Sequence, residues 1–181
     1  MSIEHALKDR LDEGRLVQVL AIMGGPEVRV VYATPEVFQQ LEPAMADAEY
    51  ASSAGHLRRW LDGFTNGKPL VIGPRRSRTC DMKRLDPQAQ EVWEIRKQDQ
   101  PSVRLFGRFI TFDAFVVTNM ELVSTLFSME WIVRGASTWP VWKREIRNCK
   151  AKWRQLFHPY PPHSGSSLDD YLSAATAERD L

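Results

Sequence analysis

The chain has 181 residues, 43% of them hydrophobic, and a formal net charge of +1 at pH 7. This length suits one domain with a sizeable core. The balanced charge excludes a global attraction to nucleic acid or to an anionic membrane. The charge is unevenly spread, because residues 68–108 hold ten basic side chains against five acidic ones and residues 143–154 hold six against one. The chain can therefore still carry a basic face that binds a polyanion.

The cysteines and the apolar runs indicate a compartment. Cys80 and Cys149 have neither the spacing of a metal site nor the partners of a disulfide framework. The sequence shows no secretory leader and no apolar run near 18 residues. These patterns predict a cytoplasmic protein with reduced thiols, no membrane contact, no metal and no other cofactor.

Helices and a strand are predicted in the first third of the chain. Residues 2–14 show a helical apolar stripe, and residues 28–32 read as a strand. Thr34 before Pro35 is a strong signal for the start of a further helix. The recurrence of apolar side chains every three or four positions predicts another helix over residues 53–64.

The centre of the chain predicts neighbouring strands. Residues 92–97 and 103–109 alternate between apolar and polar side chains, and the polar residues 98–102 suit a hairpin loop. Residues 110–117 are rich in aromatic and β-branched side chains, which predicts a buried central strand.

The alternation in this hairpin separates an apolar face from a basic face. We expect the following side chains to point into the core: Trp93, Ile95, Val103 and Leu105. We expect three arginines on the opposite face, where a polar partner could meet them: Arg96, Arg104 and Arg108. This row of arginines is the first feature that suggests more than packing.

The whole pattern predicts an α+β fold with a small, mainly antiparallel sheet, packed on two N-terminal helices and a C-terminal helix at residues 141–157. Three segments are expected. Residues 1–27 form an N-terminal helical extension, residues 28–157 form the α+β domain, and residues 158–181 form a Pro/Ser-rich tail. A short helix is predicted in this tail at residues 168–172.

Short motifs carry a resemblance to a known family. W-E-I-R at residues 93–96, R-L-F at residues 104–106 and W-P at residues 139–140, leading to K-R-E-I, follow one another in the same order of elements. This pattern resembles the RelE/HigB/ParE toxin superfamily, and in particular its phage-derived HigB-like branch, over about residues 28–156. The resemblance implies a RelE-like domain and a toxin of a toxin–antitoxin or phage-associated system. The implied activity is ribosome-dependent endoribonuclease cleavage of mRNA, or inhibition of DNA gyrase in the ParE branch. The implied partners are mRNA on the ribosome and a cognate antitoxin, or gyrase or another host protein.

The resemblance places catalytic basic residues at Arg96 and Arg104. RNA cleavage by attack of the 2′-hydroxyl needs stabilisation of a charged phosphorane, and the fork of an arginine binds phosphate oxygens bidentately. The alternative is that both arginines are solvated sheet residues or pair with Asp99, Glu94 or Asp113.

Proton transfer and RNA binding are assigned to further residues. His158 or His163 could act as general acid or base if the tail folds back over the sheet, although such histidines are more often merely surface residues. Other basic residues could contact the RNA backbone or be plain exposed cations. They are Arg75, Arg76, Arg78, Lys83, Arg84, Arg108, Lys143 and Arg144.

Departures from the family pattern support a second hypothesis. The final helix lacks the C-terminal Tyr of the family, and residues 120–138 form an unusually long insertion. The second hypothesis is a non-catalytic protein-binding inhibitor on the same scaffold, directed at gyrase or another host complex.

Overall fold

The computed structural model describes residues 2–73, 80–85, 87–97, 102–124 and 139–177. The helices described are α1 (Ile3–Asp12), α2 (Pro35–Leu41), α3 (Ala48–Thr65) and α4 (Trp139–Phe157). The strands described are β1 (Val17–Gln18), β2 (Val30–Ala33), β3 (Leu70–Ile72), β4 (Met82–Arg84), β5 (Trp93–Lys97), β6 (Val103–Thr111), β7 (Ala114–Leu122) and β8 (Ala175–Ala177). None of these helices is long and apolar enough to cross a membrane.

All eight described strands join one sheet in the order β1-β2-β7-β6-β5-β4-β3-β8. Its centre is antiparallel, because β4 pairs in that sense with β5, β5 with β6, and β6 with β7. Three pairings are parallel: β2 with β7, β3 with β4, and β3 with β8. The predicted α+β class is confirmed. The sheet is larger than the small sheet predicted, and it is mixed, although four of the seven described pairings are antiparallel.

The sequence pattern did not predict the two edge strands, β1 and β8. β1 has two residues and β8 has three, so neither is long enough to show an alternating pattern. β1 comes from the segment expected to be a helical extension, and β8 comes from the tail. The predicted short helix of the tail is a single 3-10 turn at Leu168–Asp170.

The core lies mainly between the sheet and the helices α2 and α3. The four side chains predicted to point inward, Trp93, Ile95, Val103 and Leu105, are buried there, which confirms that face of the hairpin. The opposite face of the sheet packs against α1 and α4 through two smaller apolar clusters. The sheet is therefore covered on both faces.

The single strand predicted over residues 110–117 is wrong. β6 ends at Thr111 and β7 begins at Ala114, so the run contains a tight turn. Asp113 adopts a left-handed conformation with φ of 56°, which aspartate tolerates better than most residues. One turn-forming residue inside a long apolar run was too weak a signal to divide it.

The tail is tied to the sheet by a fully buried arginine. Arg29 donates to the carbonyl oxygens of Lys68, at 2.9 Å, and of Ser173, and its Nε lies 3.5 Å from Asp113 Oδ1. Asp113 Oδ1 in turn accepts a hydrogen bond of 2.8 Å from the backbone N–H of Ser173. Tyr171 of the tail is buried in the main core, where burial raises its pKa to about 12.

Gly107 allows β6 and β7 to approach closely. A Cβ at this position would collide with the carbonyl oxygen of Val116 and lie 2.7 Å from the ring of Phe115. We expect Gly107→Ala to lower the free energy of unfolding by about 1–3 kcal/mol, as overpacking does in other cores. Urea unfolding measures this change.

Gly55→Ala provides a matched control. Gly55 lies inside α3, where an added Cβ meets nothing within 4 Å. The same substitution should there raise the free energy of unfolding by about 0.5–1 kcal/mol, because alanine favours a helix over glycine. An unchanged stability of Gly107→Ala would contradict the close approach of β6 and β7.

Candidate functional site

Three ionisable residues form a row across the centre of the sheet. Arg96 on β5 lies directly opposite Arg104 on β6, and Arg104 lies directly opposite Glu121 on β7. Residues directly opposite one another in antiparallel strands project from the same face with their Cβ atoms about 5 Å apart. The sheet therefore holds two guanidinium groups and a carboxyl group side by side, on the face covered by α4.

A fully buried carboxylate anchors the neighbouring row. Glu94 lies opposite Lys83 on one side and opposite Phe106 on the other. Its carboxylate is 2.8 Å from Arg104 Nε, 3.3 Å from Lys83 Nζ and 3.6 Å from Arg96 Nε. The four residues Lys83, Glu94, Arg96 and Arg104 are called the Glu94 cluster below.

Burial within the Glu94 cluster is graded. Glu94 keeps none of its side chain exposed, whereas Arg104, Arg96 and Lys83 keep 9%, 11% and 12%. Burial lowers the pKa of Arg104, and the charge of Glu94 opposes that shift. The cluster thus combines a sequestered anion with three cations that each keep about one-tenth of the side chain exposed. In such a low-dielectric setting, a positively charged group attracts an anionic ligand more strongly than it would in water.

The helix α4 completes the surroundings of the cluster. Trp142 Nε1 lies 3.3 Å from Glu94 Oε2, to which it donates. One turn further along, the buried Glu145 accepts a hydrogen bond of 2.7 Å from Asn119 of β7. These contacts fix the start of α4 above the two polar rows.

A second carboxyl group lies beside the cluster with a shifted pKa. Burial raises the pKa of Glu121, and the nearby charge of Glu145 raises it further. Arg144 contacts both carboxylates, at 3.5 Å from Glu121 and 2.7 Å from Glu145. These residues line an open cavity of 520 Å³ between β7 and α4. A half-buried carboxyl with a raised pKa at the wall of a cleft is able to exchange protons nearer to neutral pH than an ordinary glutamate.

The structure brings together some of the predicted site residues. Arg96, Arg104 and Lys83 meet in the Glu94 cluster, and Arg144 lies at the adjoining cavity. The pairing with Glu94 was one of the partners considered for the two arginines from the sequence. Lys143 is exposed on α4.

Other predicted residues lie elsewhere. Arg84 pairs with Glu91 and sits over the ring of Tyr171. Arg108 is buried, lies 5.5 Å above the ring of Trp153 and donates to the carbonyl oxygen of Gln90. The basic residues of the loop fall outside the described residues, namely Arg75, Arg76 and Arg78.

The predicted histidines are not brought to the cluster. Sixteen residues separate Trp142 from His158, which corresponds to about 24 Å along α4. His158 is exposed just beyond the end of that helix. His163 lies in the tail, with Nε2 2.7 Å from the carbonyl oxygen of Asp170.

Sequence reasoning missed the carboxylates that organise the site. From the sequence, Glu94 was considered as part of the W-E-I-R motif and as a possible partner of the arginines, and Glu121 and Glu145 were not singled out as site residues. The pairing register of β6 with β7 is what brings Glu121 beside Arg104, and a single sequence does not reveal that register. Glu94 did carry a usable signal, because it shares a strand face with Arg96 and lies two residues from it.

Comparison with known proteins returned no match among protein-family models, curated proteins or solved structures. The chemistry of the site is therefore the basis for assigning a function.

The Glu94 cluster predicts a large effect of removing one charge. Glu94→Gln keeps the size of the side chain but leaves Lys83, Arg96 and Arg104 to repel one another in a buried setting. We expect the free energy of unfolding to fall by about 3–5 kcal/mol, as it does when one partner of a buried ion pair is removed. The control is Glu36→Gln, because Glu36 is 74% exposed and 3.5 Å from Lys152. Its effect should stay below about 1 kcal/mol, and an equally small effect at Glu94 would contradict the proposed anchoring.

The raised pKa of Glu121 predicts a pH-dependent effect on stability. A raised folded-state pKa adds stability below the unfolded value, which is about 4.3 for glutamate, and this contribution is lost as the pH rises through the folded-state pKa. Relative to the parent chain, Glu121→Gln should therefore gain stability as the pH rises from acid to neutral. Urea unfolding across that range, with an NMR titration of the carboxyl carbon, measures both quantities.

Glu36→Gln again serves as the control, with the opposite sign. A hydrogen bond with Thr34 lowers the pKa of Glu36, so its carboxylate adds stability above its unfolded pKa. Relative to the parent chain, Glu36→Gln should lose stability as the pH rises. The same trend in both variants would show that the effect at Glu121 does not come from a raised pKa.

Proposed function

We propose that this chain is a metal-independent endoribonuclease that cleaves RNA by attack of a 2′-hydroxyl group on the adjacent phosphate. The observation that supports the proposal is the row formed by Arg96, Arg104 and Glu121 on three neighbouring strands. Cleavage of this kind needs charge stabilisation at phosphorus and a group that moves protons. In the row, Arg104 could stabilise the charge and Glu121, directly opposite it on the next strand, could move the proton.

Each side chain of the row has a chemical role in this proposal. Arg96 and Arg104 bind the non-bridging oxygens and stabilise the phosphorane as the 2′ oxygen bonds to phosphorus. Glu121 accepts the proton of the 2′-hydroxyl and passes it to the departing 5′ oxygen. The bond from phosphorus to the 5′ oxygen breaks, leaving a 2′,3′-cyclic phosphate and a 5′-hydroxyl. Glu94 does not contact the substrate; it is a positioning residue that holds the two arginines.

The route of the substrate follows the open side of the site. The cations of the Glu94 cluster are about one-tenth exposed, so the phosphate must approach along a narrow path. The cavity between β7 and α4 provides this path in our proposal, because Glu121 and Arg144 both line it. Arg144, which is 34% exposed, makes the first contact with the phosphate.

The biological setting is proposed from the resemblance of the strand motifs. The resemblance to the RelE/HigB/ParE superfamily supports a cytoplasmic toxin that cuts mRNA on the ribosome and is restrained by a cognate antitoxin. Arg96 and Arg104, the positions that the resemblance marks as catalytic, belong to the row described above. In the proposed function, Glu121 on β7 takes the place of the tyrosine that the family carries on its final helix.

A second candidate function is a non-catalytic inhibitor that binds a host protein such as gyrase. The segment after β1 exposes three large apolar side chains close together, with Leu20 at 60%, Ile22 at 61% and Met23 at 80%. Contiguous exposed apolar side chains are typical of protein-binding surfaces. In this case growth arrest would occur while mRNA stays intact.

Inducible expression with mapping of RNA ends tests the first proposal. The parent chain should arrest growth and generate mRNA fragments that end in 2′,3′-cyclic phosphates. Arg96→Gln and Glu121→Gln should slow cleavage by about 100-fold or more, because each removes a group that acts in the transition state. Arg59→Gln is the matched control, because Arg59 is an exposed arginine on α3, and this variant should behave like the parent.

Each readout has an outcome that contradicts part of the proposal. Arrest of growth with intact mRNA would replace the nuclease by the protein-binding inhibitor. Undiminished cleavage by soluble Glu121→Gln would remove Glu121 from the mechanism. No arrest and no cleavage at high expression of the parent would overturn the toxin proposal as a whole.

A further inference from the structure

The solvent-facing side of α4 carries a straight stripe of cations. Lys143, Arg147, Lys150 and Arg154 follow one another at steps of four, three and four residues, which places them on one face of a helix. Lys143, Arg147 and Arg154 are exposed, and Lys150 is half-buried. The stripe is about 16 Å long at 1.5 Å per residue.

The stripe is held on a fixed element of the fold. A neighbouring face of α4, about one-third of a turn away, buries Ile146, Cys149 and Trp153 against the sheet. The far end of the helix is also tied to α1, because Arg10 Nε donates to the carbonyl oxygen of Leu156 at 2.8 Å. The relative positions of the cations are therefore set by the core rather than by a flexible segment.

The charges of the stripe differ from those facing the cavity. Toward the cavity, α4 uses Arg144 and Lys152, and each of them is ion-paired with a glutamate. In the part of the chain that the structure describes, no carboxylate lies within ion-pair distance of Arg147, Lys150 or Arg154. These three cations add to the positive potential of the outer face instead of being neutralised locally.

The chemistry around the stripe narrows the choice of partner. A protein interface or a membrane surface requires apolar side chains at its centre, but the exposed residues of α4 whose burial is described are all polar or small: Lys143, Arg147, Asn148, Ala151, Arg154 and Gln155. A single-stranded nucleic acid requires exposed aromatic rings for stacking. Trp142 and Trp153 are directed into the protein, where their Nε1 groups donate to Glu94 and to the carbonyl oxygen of Tyr160.

We propose that this stripe binds the phosphate backbone of double-helical RNA without reading its sequence, as a surface separate from the Glu94 cluster. Cations about 5–6 Å apart along a rigid helix suit successive phosphates of a duplex, where binding comes from charge and shape. The choice of RNA over DNA rests on the proposed function; the binding of a phosphate backbone does not.

Fluorescence anisotropy with a labelled RNA duplex of about 16 base pairs tests this surface. The full chain is titrated between about 50 and 200 mM salt, where backbone contacts weaken steeply. The triple variant Arg147→Gln, Lys150→Gln, Arg154→Gln should bind at least about tenfold more weakly at low salt. The slope of log affinity against log salt should fall by about three, since each lost phosphate contact removes about 0.9.

A charge-matched variant controls for net charge. Lys8→Gln, Arg59→Gln, Lys68→Gln removes three exposed cations outside the stripe and should leave affinity and slope near the parent values. Equal losses in both triple variants, or no duplex binding by the parent, would overturn the stripe as a binding surface. Equal affinity for a DNA duplex would overturn the assignment to RNA, and binding only to phosphatidylserine vesicles would replace it by a membrane surface.

The same experiments distinguish a failure of the nuclease proposal from a failure of the stripe proposal. In one case, Glu121→Gln binds the duplex with the affinity of the parent chain, and the parent chain does not cleave RNA. That result would support the stripe as a binding surface and overturn the nuclease proposal. In the opposite case, the stripe variant and its control bind the duplex equally, while cleavage continues at the same RNA ends. That result would overturn the stripe as a binding surface and leave the nuclease proposal unaffected.

Discussion

A carboxylate with no exposed surface sits at the centre of the sheet, and much of the local structure follows from its charge. Ionised Glu94 requires compensation in a medium of low dielectric constant. That compensation comes from Lys83 on β4, Arg96 on its own strand and Arg104 on β6, with an indole N–H from α4. A slip of the β4–β5 register by one residue would turn Lys83 to the other face of the sheet, and a slip of the β5–β6 register would do the same to Arg104. One buried charge thus links the register of three strands to the placement of a helix.

Such an arrangement is a costly way to hold a sheet together. Replacing a buried ion cluster with well-packed apolar side chains is often neutral or stabilising. The core on the other face, where Trp93, Phe109 and Tyr171 pack among aliphatic side chains, holds the same sheet by apolar packing. Packing alone does not explain why the sheet keeps this cluster, and the proposed function assigns it the binding of a phosphate.

What could be predicted from the sequence depended on the length of each periodic segment. The alternation in β5 and β6 and the apolar stripe of α4 extend over enough residues to identify both the elements and their buried faces. The predicted start of α3 at Ser53 is too late, and the helix begins at Ala48. The earlier residues were missed because residues 48–52 do not extend the apolar stripe. The turn at Asp113 and the two edge strands are too short for periodicity to detect. Predicting the site requires the pairing register of the strands, which a single sequence does not show. The strand pattern therefore identified two arginines of the site but not Glu121, which lies beside them only in the folded sheet.

The chemistry of α4 divides around its circumference. At 3.6 residues per turn, three groups of side chains lie roughly one-third of a turn apart. One group packs into the sheet, a second faces the cavity with Arg144 and Lys152, and a third forms the outer stripe. The first group fixes the other two, so the cavity and the stripe keep a constant geometry relative to each other. If both proposals hold, RNA bound along the stripe would be presented to the cavity at a set angle. Selection of a cleavage site would then depend on the shape of the bound RNA as well as on the contacts at Arg96, Arg104 and Glu121.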